Sequence, residues 1–423
     1  MTGVVVTETD SGGTEKAPSP VWRDVLHDIA AGGFVRIVCA VVLSLAIGSL
    51  LIVFTNEDVL QTLPYFFARP SDFFAAAWSA ASEAYSAMFR GAIYNYRADT
   101  FAGAVRPLTE TLRFAGPLIA AGLGIALGFR AGLFNIGGQG QLLMAASFAA
   151  FASFQFHLPY GVHLVVAMLF GFVGAALWAG IAGLLKARTG AHEVIVTIML
   201  NYIAVSLVTY LMRTPVLHDM DAGNNPSTRP PDATAQLPGI LGDGFNLHLG
   251  FVLCLVAVAA YWWLVERSTL GFRLRMVGLN PDAAATSGVN VKRMYLVAMV
   301  LSGLFVGLAG INQALGRSGS FSPSIDSGIG FDAITVALLG GSTALGVLSA
   351  GILFGAMKAA GPAMQVVDVQ PEVLAVVQGL IVLFIAAPPL VRAIFRFLPE
   401  PRAELPQVGT GRKPALEGKE LEQ

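Results

Sequence analysis

The sequence predicts an all-α polytopic membrane protein, on the evidence of its composition, its long apolar runs and the placement of its charges. Of its 423 residues, 55% are hydrophobic and only 13% are charged, and the mean hydropathy is +0.67. Soluble domains usually carry about 25% charged residues. So few charges cannot cover a water-exposed surface, and most of this chain is therefore expected to lie in lipid.

The apolar runs give about ten candidate spans, because a helix needs about 20 apolar residues to cross the hydrocarbon core. The continuous candidates are 34–55, 108–129, 138–156, 162–185, 193–212, 246–265, 294–315 and 373–391. The region 331–361 is long but is interrupted by GGSTALG at 340–346, so we interpret it as two short or broken segments. Glycines spaced by four, such as Gly303 and Gly307, predict close packing between spans.

The residues outside these spans divide into two tails and an external segment. Residues 1–33 and 396–423 are polar and are expected to be disordered cytoplasmic tails, which leaves 34–395 as the transmembrane domain. Residues 56–107 contain no clean span and are assigned to an external segment. An apolar face within that segment predicts either an amphipathic helix at the membrane surface or an ordinary helix that caps the bundle. The face contains Phe74, Trp78, Ala81, Tyr85, Met88 and Phe89.

The charged loops orient the predicted bundle with both termini in the cytoplasm, because Lys and Arg favour the cytoplasmic side of short loops. The loop 267–293 has five basic residues and one acid, so it is expected inside. The loop 213–245 is acidic and rich in Pro and Gly, so it is expected outside. Arg392 and Arg396 fall inside only if the region 331–361 contributes two segments, which agrees with its break.

The basic loop is predicted to contain a short helix that docks on another protein. Its segment NPDAAATSGV begins with Asn280 and Pro281, continues through a run of alanines and stops at Gly288. Asn-Pro and Gly are typical start and stop signals of a helix. A basic, helical, cytoplasmic loop on a membrane protein is typical of a docking surface.

A polar segment, FRAGLFNIGGQGQ at 129–141, is the least lipid-like sequence at membrane depth. It combines four glycines with Asn135, Gln139 and Gln141. An unpaired amide costs several kcal/mol in hydrocarbon, so these side chains must face protein or a wet cavity. Two interpretations fit equally well: a broken helix that lines a polar path, or a cytoplasmic turn with helix caps.

Further polar residues lie in or beside later spans. Glu193 stands near the start of a span, where the helix dipole favours an anion, and Asn201 lies two turns deeper on the same face. Glu193 fits equally an ordinary first-turn carboxylate, and Asn201 an interhelical hydrogen bond worth roughly 0.6–2 kcal/mol. Asn312, Gln313 and Asp332 are predicted to form a polar cluster towards the outer side, which either meets a substrate or caps helices.

Several chemistries are missing from the sequence. It contains no GxxxxGK[ST] phosphate loop, no HExxH or paired-cysteine site and no GxSxG nucleophile motif. Cys39 and Cys254 lie far apart inside apolar runs, where they are expected to act as small buried hydrophobic residues. The sequence therefore predicts no catalytic site, no metal, no cofactor and no nucleic-acid partner for this chain.

Four segments together resemble the membrane permeases of ABC importers for simple sugars and nucleosides, within the ribose and branched-chain amino acid permease family. They occur in the expected order: FRAGLFNIGGQGQLLMAA, TGAHEVIVTIMLNYIA, STLGFRLRMVGLNPDAAATSGVNVKR and GFDAITVALLGGSTALGVLSAGILFGAM. The resemblance covers most of the chain between residues 34 and 395. Nucleoside permeases served by Bmp-type lipoprotein receptors look most similar.

The resemblance implies the transmembrane domain of a type II-like ABC importer, located in the plasma membrane. It implies a non-catalytic permease with three protein partners: an ABC ATPase subunit, a second, paralogous permease chain, and an external substrate-binding lipoprotein. The family pattern G-x-N-P-x-A-A-x-x-x-G-[IV] implies an ATPase-coupling loop. Its residues here are Gly278, Asn280, Pro281, Ala283, Ala284, Gly288 and Val289.

Two positions depart from the family pattern, since Gln139 stands where Glu is frequent and His192 stands where Asn is frequent. If either side chain contacts substrate, specificity differs from that of a purine nucleoside importer. The substrate is left open between nucleosides and ribose-like sugars, because the resemblance implies that the external receptor sets specificity. The alternative function is a self-contained secondary transporter or channel for a small polar solute. That alternative explains the spans and the Gly-rich breaks but not the helical basic loop.

Overall fold

The computed structural model describes residues 33–387, apart from 220–222, 224–225, 243 and 317–318, together with residues 390 and 394. Almost all of the two predicted tails, as well as Arg392 and Arg396, lie outside the described residues. The described part is helical and contains no strand, only two isolated β-bridges, His218 with Thr228 and Gly239 with His248. The all-α prediction is confirmed.

The described part of the chain forms fourteen α-helices, which we number in order. They are α1 (Gly33–Thr55), α2 (Glu57–Thr62), α3 (Pro70–Ala92), α4 (Phe101–Arg130), α5 (Gly138–Gln155), α6 (Val162–Thr189), α7 (Glu193–Leu211), α8 (Gly250–Trp262), α9 (Thr269–Leu279), α10 (Pro281–Thr286), α11 (Val291–Leu315), α12 (Ile329–Leu339), α13 (Ala344–Gln365) and α14 (Pro371–Ala386). A π-helical turn, Trp263–Arg267, extends α8.

Two compact units are distinguished in the chain. Residues Leu43–Ala386 form the larger unit, and residues 1–42 with 387–423 form the other. The described part of the smaller unit is mainly the beginning of α1. All the packing and sites considered below lie within the larger unit.

Seven of the described helices are long and apolar enough to cross a membrane, namely α1, α4, α6, α7, α8 with its π turn, α11 and α13. The shorter helix α14 is also apolar. The predicted break in the region 331–361 is confirmed, because α12 ends at Leu339 and α13 begins at Ala344. A count of about ten spans and the cytoplasmic placement of both termini stay predictions.

The helix predicted in the external segment is α3. Its buried residues are Ala84, Ala87 and Ala92, whereas Phe74 and Trp78 at its other end are exposed, Trp78 by 77%. The chain's own bundle therefore leaves this end of the apolar face uncovered.

Polar side chains fix where several helices begin. Thr100, Ser268, Asn290 and Thr343 each accept a hydrogen bond from a backbone N–H in the first turn of the helix that follows, at 2.9–3.2 Å. Such caps satisfy N–H groups that have no helical partner. They define the starts of α4, α9, α11 and α13.

Glycines bring the central helices into backbone contact. Helix α4 packs against α11, α12 and α13, and α11 packs in turn against α5 and α6. A Cβ atom added at Gly303 of α11 would lie 2.9 Å from Ala175 O and 2.4 Å from Ala179 Cβ of α6. The predicted close approach at this glycine is confirmed.

We expect Gly303→Ala to destabilise the bundle by about 1–3 kcal/mol, because α6 and α11 must move apart to admit the methyl group. Thermal unfolding of the purified protein in detergent measures the effect as a lower midpoint temperature. Gly180→Ala is the matched control on the same helix pair, because a Cβ atom added there would lie at an ordinary 3.6 Å from Val300 Cγ2. Equal midpoints for the two variants would contradict the packing argument.

Candidate functional site

Helical structure is interrupted between α4 and α5. Helix α4 ends at Arg130, and α5 begins only at Gly138. Gly132 makes the turn with a positive φ of 72°, which costs little without a Cβ atom. The backbone groups of residues 131–137 cannot all find helical partners, and an unpaired group inside a membrane protein is costly. Side chains from three helices supply hydrogen-bond partners for these backbone groups.

Asn135 is the centre of the first group of bonds. Its Nδ2 donates to Ser302 Oγ at 2.9 Å, and its Oδ1 accepts from the N–H of Gly137 at 2.9 Å. Ser302, near the middle of α11, donates to Gly124 O of α4 at 2.7 Å. Gln141 exchanges two longer hydrogen bonds of 3.3 Å with Asn135. The break is thereby tied to α4 and α11 deep in the bundle.

Asn201 of α7 holds the other side of the break. Its Nδ2 donates to Ile136 O at 2.9 Å, and its Oδ1 accepts from the N–H of Gly140 at 2.8 Å. Thr197, one turn earlier, accepts from the N–H of Ile136 at 3.3 Å. One amide side chain therefore satisfies a carbonyl and an N–H on the two sides of the helix start.

The structure brings Asn135, Gln141 and Asn201 together and encloses all three within the chain. The choice between the two interpretations from sequence, a broken helix that lines a polar path or a turn with helix caps, stays a prediction. The three amides are engaged with the backbone and with one another. Their contact with a transported solute stays a prediction.

Glu193 is placed apart from that network. It begins α7, and its carboxylate lies 2.8 Å from Lys186 Nζ near the end of α6. The salt bridge spans the short α6–α7 connection. This geometry fits the first-turn interpretation of Glu193, whereas His192 is the residue immediately before the helix.

The outer polar residues do not share one set of contacts. Asn312 Nδ2 lies 3.4 Å from Cys254 Sγ of α8, and Gln313 donates to Ile325 O at 3.2 Å. Asp332 instead forms an ion pair of 2.8 Å with Lys358 of α13. Asn312, Gln313 and Asp332 thus contact three different elements, and their common role at a substrate stays a prediction.

Helix α12 also starts within the bundle, next to the start of α5. The carboxylate of Asp326 accepts from the N–H groups of Gly328 and Gly330 at 3.1 and 2.9 Å, and so caps α12. A Cβ at Gly330 would lie 2.4 Å from Gln139 N. The two helix starts therefore meet through their backbones, and Gln139 lies partly exposed at the junction.

Lys358 and Asp326 belong to this junction but were missed by sequence reasoning. Lys358 is the single charged residue in α13, and a charged residue within a span is a functional signal by itself. Asp326 carried no such signal, because only the fold shows which helix it caps.

The predicted coupling loop is a compact, exposed unit. Asn280 Oδ1 accepts from the N–H groups of Asp282 and Ala283, both at 3.0 Å, and Pro281 occupies the first position of α10. Gly288 closes the unit with a positive φ of 82°. The predicted short helix is present as α10, and Asn and Pro start it for the expected reason.

The side chains of the coupling loop divide into an inner and an outer set. Ala284 is only 1% exposed, and the N–H of Val289 donates to its carbonyl at 3.0 Å, so Ala284 anchors α10 on its own chain. Ala283 and Ala285 face outwards. Leu279, just before α10, is 88% exposed. Leu279, Ala283 and Ala285 therefore give the loop three exposed apolar side chains.

Gly278 connects the coupling loop to the α4–α5 turn. A Cβ atom at Gly278 would lie 2.4 Å from Arg130 O and 2.9 Å from Gly132 N. Arg130 Nε also donates to Ser342 O between α12 and α13 at 3.1 Å. The exposed loop, the α4–α5 break and the α12–α13 connection are therefore in direct contact.

Seven described helices that are long and apolar enough to cross a membrane define a multi-pass membrane protein. Comparison with known proteins identifies the family. Residues 108–386 match the family described as branched-chain amino acid transport system / permease component, and the chain belongs to this family. It is the permease subunit of an ABC importer, in the plasma membrane.

Individual relatives match over most of their lengths. The chain is 37% identical to the guanosine ABC transporter permease NupP of Bacillus subtilis, over 69% of this chain and 84% of the relative. It is 35% identical to the glucose permease TsgB13 of Haloferax volcanii, over 66% and 75%. It is 34% identical to the nucleoside permease NupB of Lactococcus lactis, over 67% and 80%. No solved structure shows a significant match to the chain.

We expect Asn201→Leu to destabilise the protein by about 1–3 kcal/mol, because the Ile136 carbonyl and the Gly140 N–H lose their partner in a buried site. The midpoint of thermal unfolding in detergent should fall accordingly. Tyr202→Phe is the control, since the neighbouring Tyr202 is exposed on the same helix and should leave the midpoint unchanged. An Asn201→Leu midpoint equal to that of the control would rule out the role assigned to Asn201.

Proposed function

We propose that this permease imports nucleosides, with ribose-like or other simple sugars as the second substrate class, and that an ATPase subunit drives it from the cytoplasm. The observation that carries the proposal is the contact between the exposed coupling loop and the break at membrane depth. That contact gives a cytoplasmic partner a short mechanical route to the helices that a solute must pass. A self-contained carrier has no need of such an exposed loop.

The substrate class rests on the relatives. The names of two similar permeases specify guanosine and nucleosides, and that of a third specifies glucose. A sugar ring that carries several hydroxyl groups is the chemical part that nucleosides and simple sugars share, so one polar path suits both. Gln139 lies at the junction of the two helix starts, and its departure from the family's Glu keeps this position free of charge.

The partners follow from the same comparison. Bacillus subtilis has a second guanosine permease, NupQ. It is 28% identical to this chain, over 58% of this chain and 78% of NupQ. The higher identity to NupP supports an arrangement in which this chain pairs with a different, NupQ-like permease. A separate ATPase subunit hydrolyses ATP, and an external lipoprotein delivers the solute. The chain itself contributes no catalytic step.

The ATPase contact is assigned to Leu279, Ala283 and Ala285, which surround the buried anchor Ala284. Movement of the docked ATPase pulls on α9 and α10. Because Gly278 lies against Arg130 and Gly132, the movement passes to the α4–α5 break without an intervening flexible side chain. The bundle then alternates between states that open outwards and inwards.

The test is nucleoside uptake into proteoliposomes that contain this chain with its cognate ATPase, second permease and receptor. Uptake should require ATP inside the vesicle, and Leu279→Glu should weaken ATPase co-purification by about tenfold or more, as expected for a central interface residue. Thr269→Glu, exposed at the other end of α9, is the control and should retain the ATPase. Uptake driven by an ion gradient without the ATPase would instead support the secondary carrier.

Gly278→Ala should separate docking from transport. The added methyl group pushes α9 away from the α4–α5 turn, whereas the docking surface of α10 is unchanged. We expect normal co-purification of the ATPase but a several-fold lower ratio of nucleoside transported to ATP hydrolysed. The ratio is measured in the same vesicles, with Gly361→Ala as control because no atom lies within 4 Å of the added Cβ. An unchanged ratio would mean that force does not pass through Gly278.

A further inference from the structure

We infer that the ion pair between Asp332 and Lys358 is a solute contact inside the membrane, and that it selects neutral molecules carrying both donors and acceptors. The inference deepens the proposed function and rests on it. It begins with the depth of Lys358, which lies fourteen residues after the start of α13 at Ala344. At about 1.5 Å per residue this is about 21 Å along a helix that crosses a core of about 30 Å.

A lysine at that depth needs partners that compensate its charge. Insertion of an unpaired lysine at the centre of a span costs roughly 2.5–3.5 kcal/mol. Lys358 Nζ lies 2.8 Å from Asp332 Oδ2 and donates to Ser327 O at 2.9 Å, so its charge is compensated. The second nearby acid, Asp326, uses both oxygens to cap α12. Asp332 is therefore the carboxylate that pairs with Lys358.

The pair is open on one side, in contrast to the amides of the α4–α5 break. The side chains of Lys358 and Asp332 are 22% and 26% exposed, whereas Asn135 and Asn201 are enclosed. Two of the three ammonium N–H groups have partners, and Asp332 Oδ1 has none among the described residues. Lipid cannot hydrogen-bond these groups. The open side must therefore face water or another polar molecule.

The surroundings of the pair favour a transport path over a permanent contact. Asp332 lies in the first turn of α12, which meets the first turn of α5 at Gly330 and Gln139. Discontinuous helices that meet near the membrane midplane commonly form the substrate sites of transporters. Gln139, which is partly exposed, adds an uncharged amide at the same junction.

The chemistry of the pair determines which solutes suit it. One free N–H and one free carboxylate oxygen, side by side, match a molecule that accepts and donates at neighbouring positions, such as the hydroxyl groups of ribose. A neutral solute leaves the ion pair intact. An anionic solute would compete with Asp332 for Lys358 and leave a carboxylate unpaired in the membrane. Nucleosides and sugars satisfy this condition, whereas nucleotides do not.

The test compares Lys358→Met with the double variant Asp332→Asn/Lys358→Met in the complete importer. Both should lower ATP-driven uptake by about tenfold or more and still co-purify with the ATPase. A purely structural ion pair behaves differently, because removal of both charges leaves neither unpaired and restores uptake. Recovery of uptake in the double variant would therefore overturn the inference. If Lys358→Met fails to assemble, the double variant alone decides the question.

A matched control and a second measurement complete the design. Glu110→Gln/Arg113→Gln removes another partly exposed pair, at 2.7 Å on α4, and should leave uptake within about twofold. In a background without Cys39 and Cys254, Asp332→Asn/Lys358→Cys should react with a water-soluble methanethiosulfonate, more slowly when receptor and nucleoside are present. Absence of reaction in every nucleotide state would also overturn the inference. Failure of the wild-type importer to take up nucleosides would instead reject the proposed function.

Discussion

The fold of this permease depends on one constraint, that backbone groups at membrane depth must be hydrogen-bonded inside the protein. Helix α4 ends and α5 begins within the bundle, and the intervening turn cannot pair its own groups. Asn135 and Asn201 supply the missing partners, with Ser302 linking the turn to α11. Removal of these amides would leave buried groups unpaired, so the break exists only because three helices surround it.

Two other segments of the chain also meet the same break. Gly278, just before α10, contacts the backbone at Arg130 and Gly132, and Gly330 contacts the backbone at the start of α5. Contacts made through glycine backbones leave no flexible side chain to absorb a displacement, and packed interfaces of this kind shift between discrete arrangements. A push on α10 can therefore reach the partly exposed pair of Asp332 and Lys358.

Prediction from the sequence succeeded where the signal is local. The break between 331 and 361, the short helix in the basic loop and its Asn-Pro start were all visible as short patterns. It was less informative about the direction of side chains. Ala284 and Ala283 are neighbours in one motif, yet one anchors α10 and the other faces outwards. The predicted cluster of Asn312, Gln313 and Asp332 stays a prediction, since the three side chains contact three different elements.

The sequence by itself determined that this chain is a helical membrane protein with a docking loop, because apolar run length, charge placement and capping residues act locally. The tertiary structure alone decided which polar groups are satisfied and which remain open. Asn201 and Lys358 are both polar residues within spans. The amide of Asn201 is hydrogen-bonded to backbone groups some 60 residues away, whereas Lys358 has one ammonium N–H without a partner among the described residues. Hydrogen bonds between distant segments cannot be inferred from spacing along one chain.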